Sequence, residues 1–360
     1  MKIHFLVLLS LLILSPKIIS AQKKNISFNS PKIQYEGRIA FSDSTASLNW
    51  SGSSVSLNFR GSEISAILKD ADTSNYYNVI LDDKVILKIK LDTIKKSYIL
   101  ASGLSKGKHK IQLFKRTEWR KGQTYFYGFE TNEVTKIVKP SKPKKRKMEF
   151  YGDSITCGYG IEEQNGKDSG VGRFENNYLT YGAITARYFD AQFSCIANSG
   201  TGIMVSWFPS TISDIYNLTN PHDKNSTWNF NKYTPDVVVI NLFQNDSWIV
   251  NQPKNAEFIK KFGSKKPNED FIVKSYENFV KSIREKYPNT SIICALGNMD
   301  ATKDGSKWPE YITKAVKNLQ DKKIYAHFFT YKNTLGHPKV SEQKAMADSL
   351  IAFINQNIKW

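Results

Sequence analysis

The chain has 360 residues, 40% hydrophobic and 23% charged, which is enough for one large or two ordinary domains and excludes a disordered polymer. Its three cysteines, Cys157, Cys195 and Cys294, are far short of a disulfide scaffold, and each sits in or beside an apolar stretch as a small buried hydrophobe would. The formal charge of +18 suits acidic polysaccharide, anionic membrane or nucleic acid, but the lysines are dispersed apart from Lys142 to Lys147, so a solvated surface is the simpler account.

Residues 1–21 have the form of an export signal: Lys2, the apolar run "IHFLVLLSLLIL", and a short polar stretch closing on "ISA" before Gln22. Cleavage is expected after Ala21. The run is too short for a comfortable membrane span, and no cysteine near the cut could take a lipid. The expected product is secreted or periplasmic, without a membrane anchor and without nucleic acid as a partner. Cleavage removes Lys2 and Lys17 and no acid, so +16 of the formal +18 remains.

Residues 22–138 are expected to form an all-β sandwich. From Ile33 to Phe129 the segments "ASLNWSG", "SVSLNFRG", "EISAILKD", "YYNVILDD", "KVILKIKL", "HKIQLFKRT" and "TYFYGFET" alternate in polarity, are rich in β-formers, and are punctuated by Gly, Asp, Asn and Ser. A basic linker follows at 139–147. From 148 to 360 strand and helix alternate. The strand candidates are "MEFYG", "AQFSCIA", "DVVVINL", "SIICAL" and "KIYAHFF", the last four being the continuous apolar runs of a parallel sheet covered on both faces. Ile272, Tyr276, Phe279, Val280 and Ile283 recur at helical spacing between them. The expected fold is a doubly wound α/β domain behind the sandwich.

"GDSITCGYG" places Ser154 just past the carboxyl end of the first parallel strand, where open α/β folds bind ligands. Asp153 and Ser154 could simply cap the next helix. The other strands argue for more, because "ANSGTGI", "NLFQNDSW" and "TLGHP" bring glycines, an asparagine and a histidine to the same edge. Acyl transfer needs such a set: a nucleophile, a proton acceptor and N–H groups aimed at the charge that develops on a carbonyl oxygen.

The blocks "GDSIT", "NSGTG", "FQNDSW" and "GHP" resemble, in order, those of the SGNH (GDSL) hydrolase superfamily. A sandwich, a linker and then "GDSITCGYG", "ENNYLTYGAITAR" and "PDVVVINL" are similar to carbohydrate esterase family 2, whose members remove O-acetyl groups from plant polysaccharides. The resemblance implies a jelly-roll sandwich ahead of a five-stranded parallel sheet, and an acetylated polysaccharide or oligosaccharide as substrate. It implies Ser154 as nucleophile, His337 as general base, and an oxyanion hole from Ser154 N–H, Gly200 N–H and the Asn245 side chain, with Gly202 the second choice of glycine. No metal or organic cofactor is implied. A lipid or thioester esterase of the same superfamily and a non-catalytic carbohydrate-binding protein are the alternatives.

One departure is plain. The superfamily usually has an aspartate three residues before the histidine, where this chain has Thr334, with Asn333 the nearest polar alternative. Some members of the esterase family orient the imidazole through a backbone carbonyl, so the resemblance implies a Ser–His dyad held by a carbonyl in "KNTLG". Asp300 is the candidate for a concealed acid. Asp153 and Asp246 are expected to be structural hydrogen-bonders, and "FQ" stands before Asn245 where a glycine-containing pair is more usual. Trp207, Trp248 and Trp308 are candidate sugar platforms, Trp248 foremost. His109, His222 and His327 suggest ordinary structural roles, and no His, Cys and carboxylate spacing suggests zinc.

Overall fold

The computed structural model describes residues 23–360, so the expected export signal lies outside them. The first half is a sandwich of two six-stranded antiparallel sheets. One sheet runs Ile39–Phe41, Ala46–Leu48, Thr124–Asn132, Ile64–Asp70 and Lys96–Ala101, with Lys23–Ser27 also paired to Thr124–Asn132. The other runs Lys136–Ile137, Ser54–Arg60, Lys108–Lys115, Tyr76–Leu81 and Lys84–Lys90, with Ile33–Glu36 also paired to Ser54–Arg60. Alternation in sequence becomes alternation across the sheet: Val55, Leu57 and Phe59 of one sheet meet Ile64, Ala66 and Leu68 of the other in a single core.

The second half is a five-stranded, all-parallel sheet. Its strands are β1 (Arg146–Gly152), β2 (Ala191–Ala197), β3 (Val237–Asn241), β4 (Ser291–Leu296) and β5 (Ile324–Phe328), in the order β2-β1-β3-β4-β5. β1 begins at Arg146, inside the stretch expected to be linker. β3 is buried throughout, as a central strand of a covered sheet must be. The expectation of full cover fails at β5, where only Ile324 is buried, because an edge strand has a neighbour on one side only.

Six helices matter here: α1 (Ser154–Cys157), α2 (Tyr181–Tyr188), α3 (Gln244–Ile249), α4 (Glu269–Lys286), α5 (Trp308–Leu319) and α6 (Val340–Asn357). In α4 the helical-period residues Ile272, Tyr276, Phe279, Val280 and Ile283 are all buried, and the Asn268 side chain caps the helix by accepting from Phe271 N–H at 2.9 Å.

A buried ion pair fastens the two halves together. Arg38, in the turn between two sandwich strands, lies 3.2 Å from Glu149 of β1, and both side chains are fully buried. The guanidinium also donates to Tyr151 Oη at 3.0 Å and to the carbonyls of Tyr216 and Leu218 at 2.6 and 3.1 Å. Breaking such a pair by removing one partner costs about 3–5 kcal/mol, because the other charge is left buried. The sandwich is thus tied to β1 of the α/β half, and one of its loops reaches the carboxyl edge of the parallel sheet, where Glu118 meets Ser199.

Candidate active site

Gly152 ends β1 and has no room for a side chain: a Cβ there would lie 2.0 Å from Thr156 Oγ1. The chain turns at that point into α1, and Asp153 caps it by accepting from Ile155 N–H at 3.0 Å. The capping account of "GDS" is therefore correct for Asp153. It leaves the side chain of Ser154, buried at the wall of a cavity, for other partners.

Ser154 Oγ lies 2.8 Å from His337 Nε2, and His337 Nδ1 lies 2.7 Å from Asp168 Oδ2. The carboxylate also accepts from the backbone N–H of His337, at 3.2 and 3.1 Å to its two oxygens. Burial alone would raise the Asp168 carboxyl, but the hydrogen bonds and charge of His337, together with Lys339 at 3.5 Å, hold it down to about 2. It is thus a fixed negative charge at the pH of ordinary assays.

This geometry corrects the expectation for the histidine's partner. The ring is oriented by a carboxylate, not by a carbonyl of "KNTLG", and the acid is not Asp300. Asp300 accepts from Trp248 Nε1 at 2.9 Å. The Thr334 hydroxyl is turned away to Glu342. Asp168 comes from the stretch 158–171, between α1 and the next helical turn, far before the histidine in sequence. The signal that could have found it was length, because a long irregular connection inside a compact domain is more often functional than not.

Gly200 has φ +81°, and a Cβ there would also crowd Phe208 at 3.0 Å and Trp207 at 3.3 Å. Neither Gly200 N–H nor Ser154 N–H has an acceptor among the described residues. Gly202, the second choice, does not fit, since its N–H donates to Ser206 Oγ at 3.0 Å. The Asn245 amide stands between these groups: its oxygen accepts from Trp207 Nε1 at 2.9 Å, and its nitrogen donates to Thr201 O at 2.9 Å and weakly to Asp153 Oδ2 at 3.3 Å.

Asp246 takes the structural role expected of it. Burial pushes its carboxyl up to about 6 against three backbone N–H donors, Ile203 at 3.0 Å, Met204 at 2.7 Å and Val205 at 3.1 Å, which it holds in a turn. Before it, Phe243 has φ +89°, which explains why glycine is usual nearby. That conformation costs an L-residue about 1–2 kcal/mol. Here it is offset by a fully buried ring packed 4.8 Å from Tyr276 and 5.0 Å from Trp308.

These groups open into a cavity of about 370 Å³. Trp207 and Trp248 line it, as do Tyr159 and Phe208, which sequence reasoning missed. Trp308 does not, because it opens α5 and packs on the core through Phe243. Glu118 and Arg120 line the cavity too, although they belong to the sandwich. In "RTEWRKG" they have the look of charged loop residues, and nothing in sequence separation ties them to Gly200. A larger cavity of about 830 Å³ opens at the other end of β1, beside Lys142, Lys144, Lys145 and Arg146, and gathers no histidine.

Arranged this way, the site can carry a proton from a serine hydroxyl to an imidazole backed by a carboxylate, with N–H groups beside it. Among the described residues no group of three or more His, Cys, Asp or Glu is placed to hold a metal ion, and no helix is long and apolar enough to cross a membrane.

Known proteins share both halves. The family described as Carbohydrate esterase 2 N-terminal matches residues 35–140, and the one described as GDSL-like Lipase/Acylhydrolase matches residues 148–350. Cellulase/esterase CelE of Acetivibrio thermocellus is 34% identical over 345 residues, 92% of this chain, and the chain spans 40% of that protein's length. An acetylxylan esterase / glucomannan deacetylase of Cellvibrio japonicus is 24% identical over 344 residues, 93% of this chain and 91% of that protein. A solved family two carbohydrate esterase from Clostridium thermocellum, in complex with cellohexaose, superposes with a TM-score of 0.81 at 34% identity, over 90% of this chain and 98% of that one. With its sandwich and its α/β half matched in the same order, the chain belongs to carbohydrate esterase family 2, within the GDSL-like acylhydrolases.

Proposed function

We propose that the protein is an exported carbohydrate O-acetylesterase that works through Ser154, His337 and Asp168. The single observation that carries this reading is the pair of hydrogen bonds, 2.8 and 2.7 Å, that links serine to imidazole to carboxylate beside two N–H groups without an acceptor among the described residues. Ser154 Oγ attacks the acetyl carbonyl carbon while His337 Nε2 takes the hydroxyl proton. Asp168 faces the imidazolium through Nδ1–H. The oxyanion receives the N–H groups of Ser154 and Gly200 and one Asn245 Nδ2–H, which gives up its long contact with Asp153. Collapse breaks the ester bond, and His337 gives the proton to the departing sugar oxygen, which leaves as a hydroxyl. A water then attacks the acetyl-serine by the same relay and releases acetate.

The aromatic lining of the site favours sugar over lipid. The cavity is lined by Trp207, Trp248, Tyr159 and Phe208, aromatic rings of the kind on which a pyranose can stack. The similar Cellvibrio japonicus protein is named for deacetylating xylan and glucomannan, which makes such acetylated polymers the first substrates to try here. Polymers of that size stay outside the cell, in keeping with the export signal expected at residues 1–21.

The test compares acetate release from acetylated xylan and glucomannan with hydrolysis of 4-nitrophenyl acetate and a long-chain 4-nitrophenyl ester. Acetyl esters should be preferred, and Ser154→Ala should lower turnover by roughly 10⁴-fold or more while the protein stays folded. Preference for the long chain would make it a lipid esterase. Retained glycan binding without any turnover would make it a binding protein.

A further inference from the structure

The oxyanion turn, residues 198–201, is held from two sides. From the α/β half, Asn198 N–H donates to Gly152 O at 3.2 Å and Asn198 Nδ2 donates to Thr201 Oγ1 at 2.8 Å. From the sandwich, the helical turn that includes Trp119–Lys121 brings two charged side chains onto the same residues. Glu118 Oε2 accepts from Ser199 N–H at 2.7 Å, and Arg120 Nε donates to Asn198 Oδ1 at 2.8 Å.

Both side chains are themselves anchored. Glu118 is buried, its own backbone N–H donates to Glu175 Oε2 at 2.9 Å, and Cys157 Sγ, in α1 just after Ser154, lies 3.8 Å from its Oε2. The Arg120 guanidinium lies 3.9 Å from the centre of the Phe208 ring. Hydrogen bonds in which one partner is charged are roughly twice as strong as neutral ones, so these two are not incidental contacts.

The turn needs such holding. Gly200 supplies a proposed oxyanion N–H, and glycine is the residue with the most conformational freedom to lose. An oxyanion donor lowers the barrier only if it already points at the place where charge will appear. Fixing Ser199 N–H and the Asn198 side chain leaves the Gly200 peptide little room to rotate.

We propose that Glu118 and Arg120 are positioning residues for the oxyanion hole, so that the β-sandwich is part of the acyl-transfer machinery and not only a sugar-facing accessory. This rests on the esterase reading above. It predicts that damage at these residues is seen with an aryl acetate, which has no sugar to bind.

The experiment uses the full chain and two readouts. On 4-nitrophenyl acetate, Glu118→Ala should lower kcat by about a hundredfold, the size of one lost oxyanion donor, with KM nearly unchanged. Glu118→Gln keeps an oxygen that accepts Ser199 N–H and should recover activity to within about tenfold of the wild type, or 1.4 kcal/mol. Amide hydrogen exchange of the peptide 196–203 should quicken in Glu118→Ala, stay slow in Glu118→Gln, and leave α4 unaffected. Arg120→Ala should show the same kcat loss and faster exchange to a smaller degree, and it carries the test if Glu118→Ala does not fold.

Unchanged exchange of 196–203 in the folded variants would overturn the proposal, as would unchanged kcat in Glu118→Ala and Arg120→Ala. So would a defect at Arg120 confined to KM for the polysaccharide, which would make that residue a sugar contact. If the wild type hydrolysed no acetyl ester, the esterase reading would fall, while the exchange data would still decide whether the sandwich holds the turn.

Discussion

Residues 150–157 and 158–171 are neighbours in sequence and both serve the Ser154–His337 pair, yet their aspartates are shifted in opposite directions. Asp153 is fully enclosed, and burial pushes its carboxyl up to about 7. Asp168 sits at the open rim, where burial would raise it less and the His337 and Lys339 contacts bring it down to about 2. An acid that is to face an imidazolium must be ionised when the reaction runs. The carboxyl next to the nucleophile in sequence does not meet that demand, since it is committed to capping α1 and touching Asn245. The rim carboxylate meets it because its hydrogen bonds to His337, with the charge of Lys339 nearby, outweigh the partial burial that would raise it.

The sharpest way to break this contrast is Asp168→Asn. Loss of the correct tautomer should lower kcat/KM on an acetyl ester by at least about a hundredfold and up to about ten-thousandfold, as in serine proteases. A loss below tenfold would return the mechanism to a Ser–His dyad. Next in size is Asn245→Ala, which should cut kcat by roughly 10²–10³-fold as one oxyanion donor is lost. If KM rose instead while kcat held, Asn245 would bind the ground state only.

Two residues outside both regions serve as controls. Asp300→Asn and Thr334→Ala should each cost less than about tenfold in kcat/KM, under 1.4 kcal/mol, because neither side chain meets the histidine. A collapse at Asp300 would mean that the relay rearranges when substrate binds.

The smallest effect on rate should come from Asp153→Asn, and its readout is stability against pH. Because burial raises this carboxyl from 3.8 to about 7, the fold favours its protonated form. Its contribution is fully present below pH 3.8 and is lost as pH rises through about 7. An amide of the same shape can still accept from Ile155 N–H but does not titrate. The wild type should therefore lose Tm relative to the variant between about pH 4 and pH 7, and the difference should be flat above that. A difference that stayed constant across the range would mean that Asp153 does not titrate there.

Much of this molecule could be read along the chain. Alternation in "SVSLNFRG" and continuous apolar runs such as "DVVVINL" are consequences of side chains pointing to alternate faces or being covered on both, so they are visible residue by residue. Ser154, Gly200, Asn245 and His337 were legible for a related reason. Each follows a strand of one parallel sheet, and a parallel sheet gathers its carboxyl ends at a single edge. Tertiary structure alone decided the rest. Asp168 reaches the site from an irregular loop and Glu118 and Arg120 from a single short helical turn, too little chain for any period to show, and Trp308, one residue type with Trp248, turns inward where Trp248 lines the cavity. Whether a loop side chain meets a strand end depends on how the two halves pack on each other, through the buried contact of Arg38 with Glu149, more than a hundred positions apart, and through sandwich residues Trp50, Ile80 and Phe114, which join the cores of the α/β half.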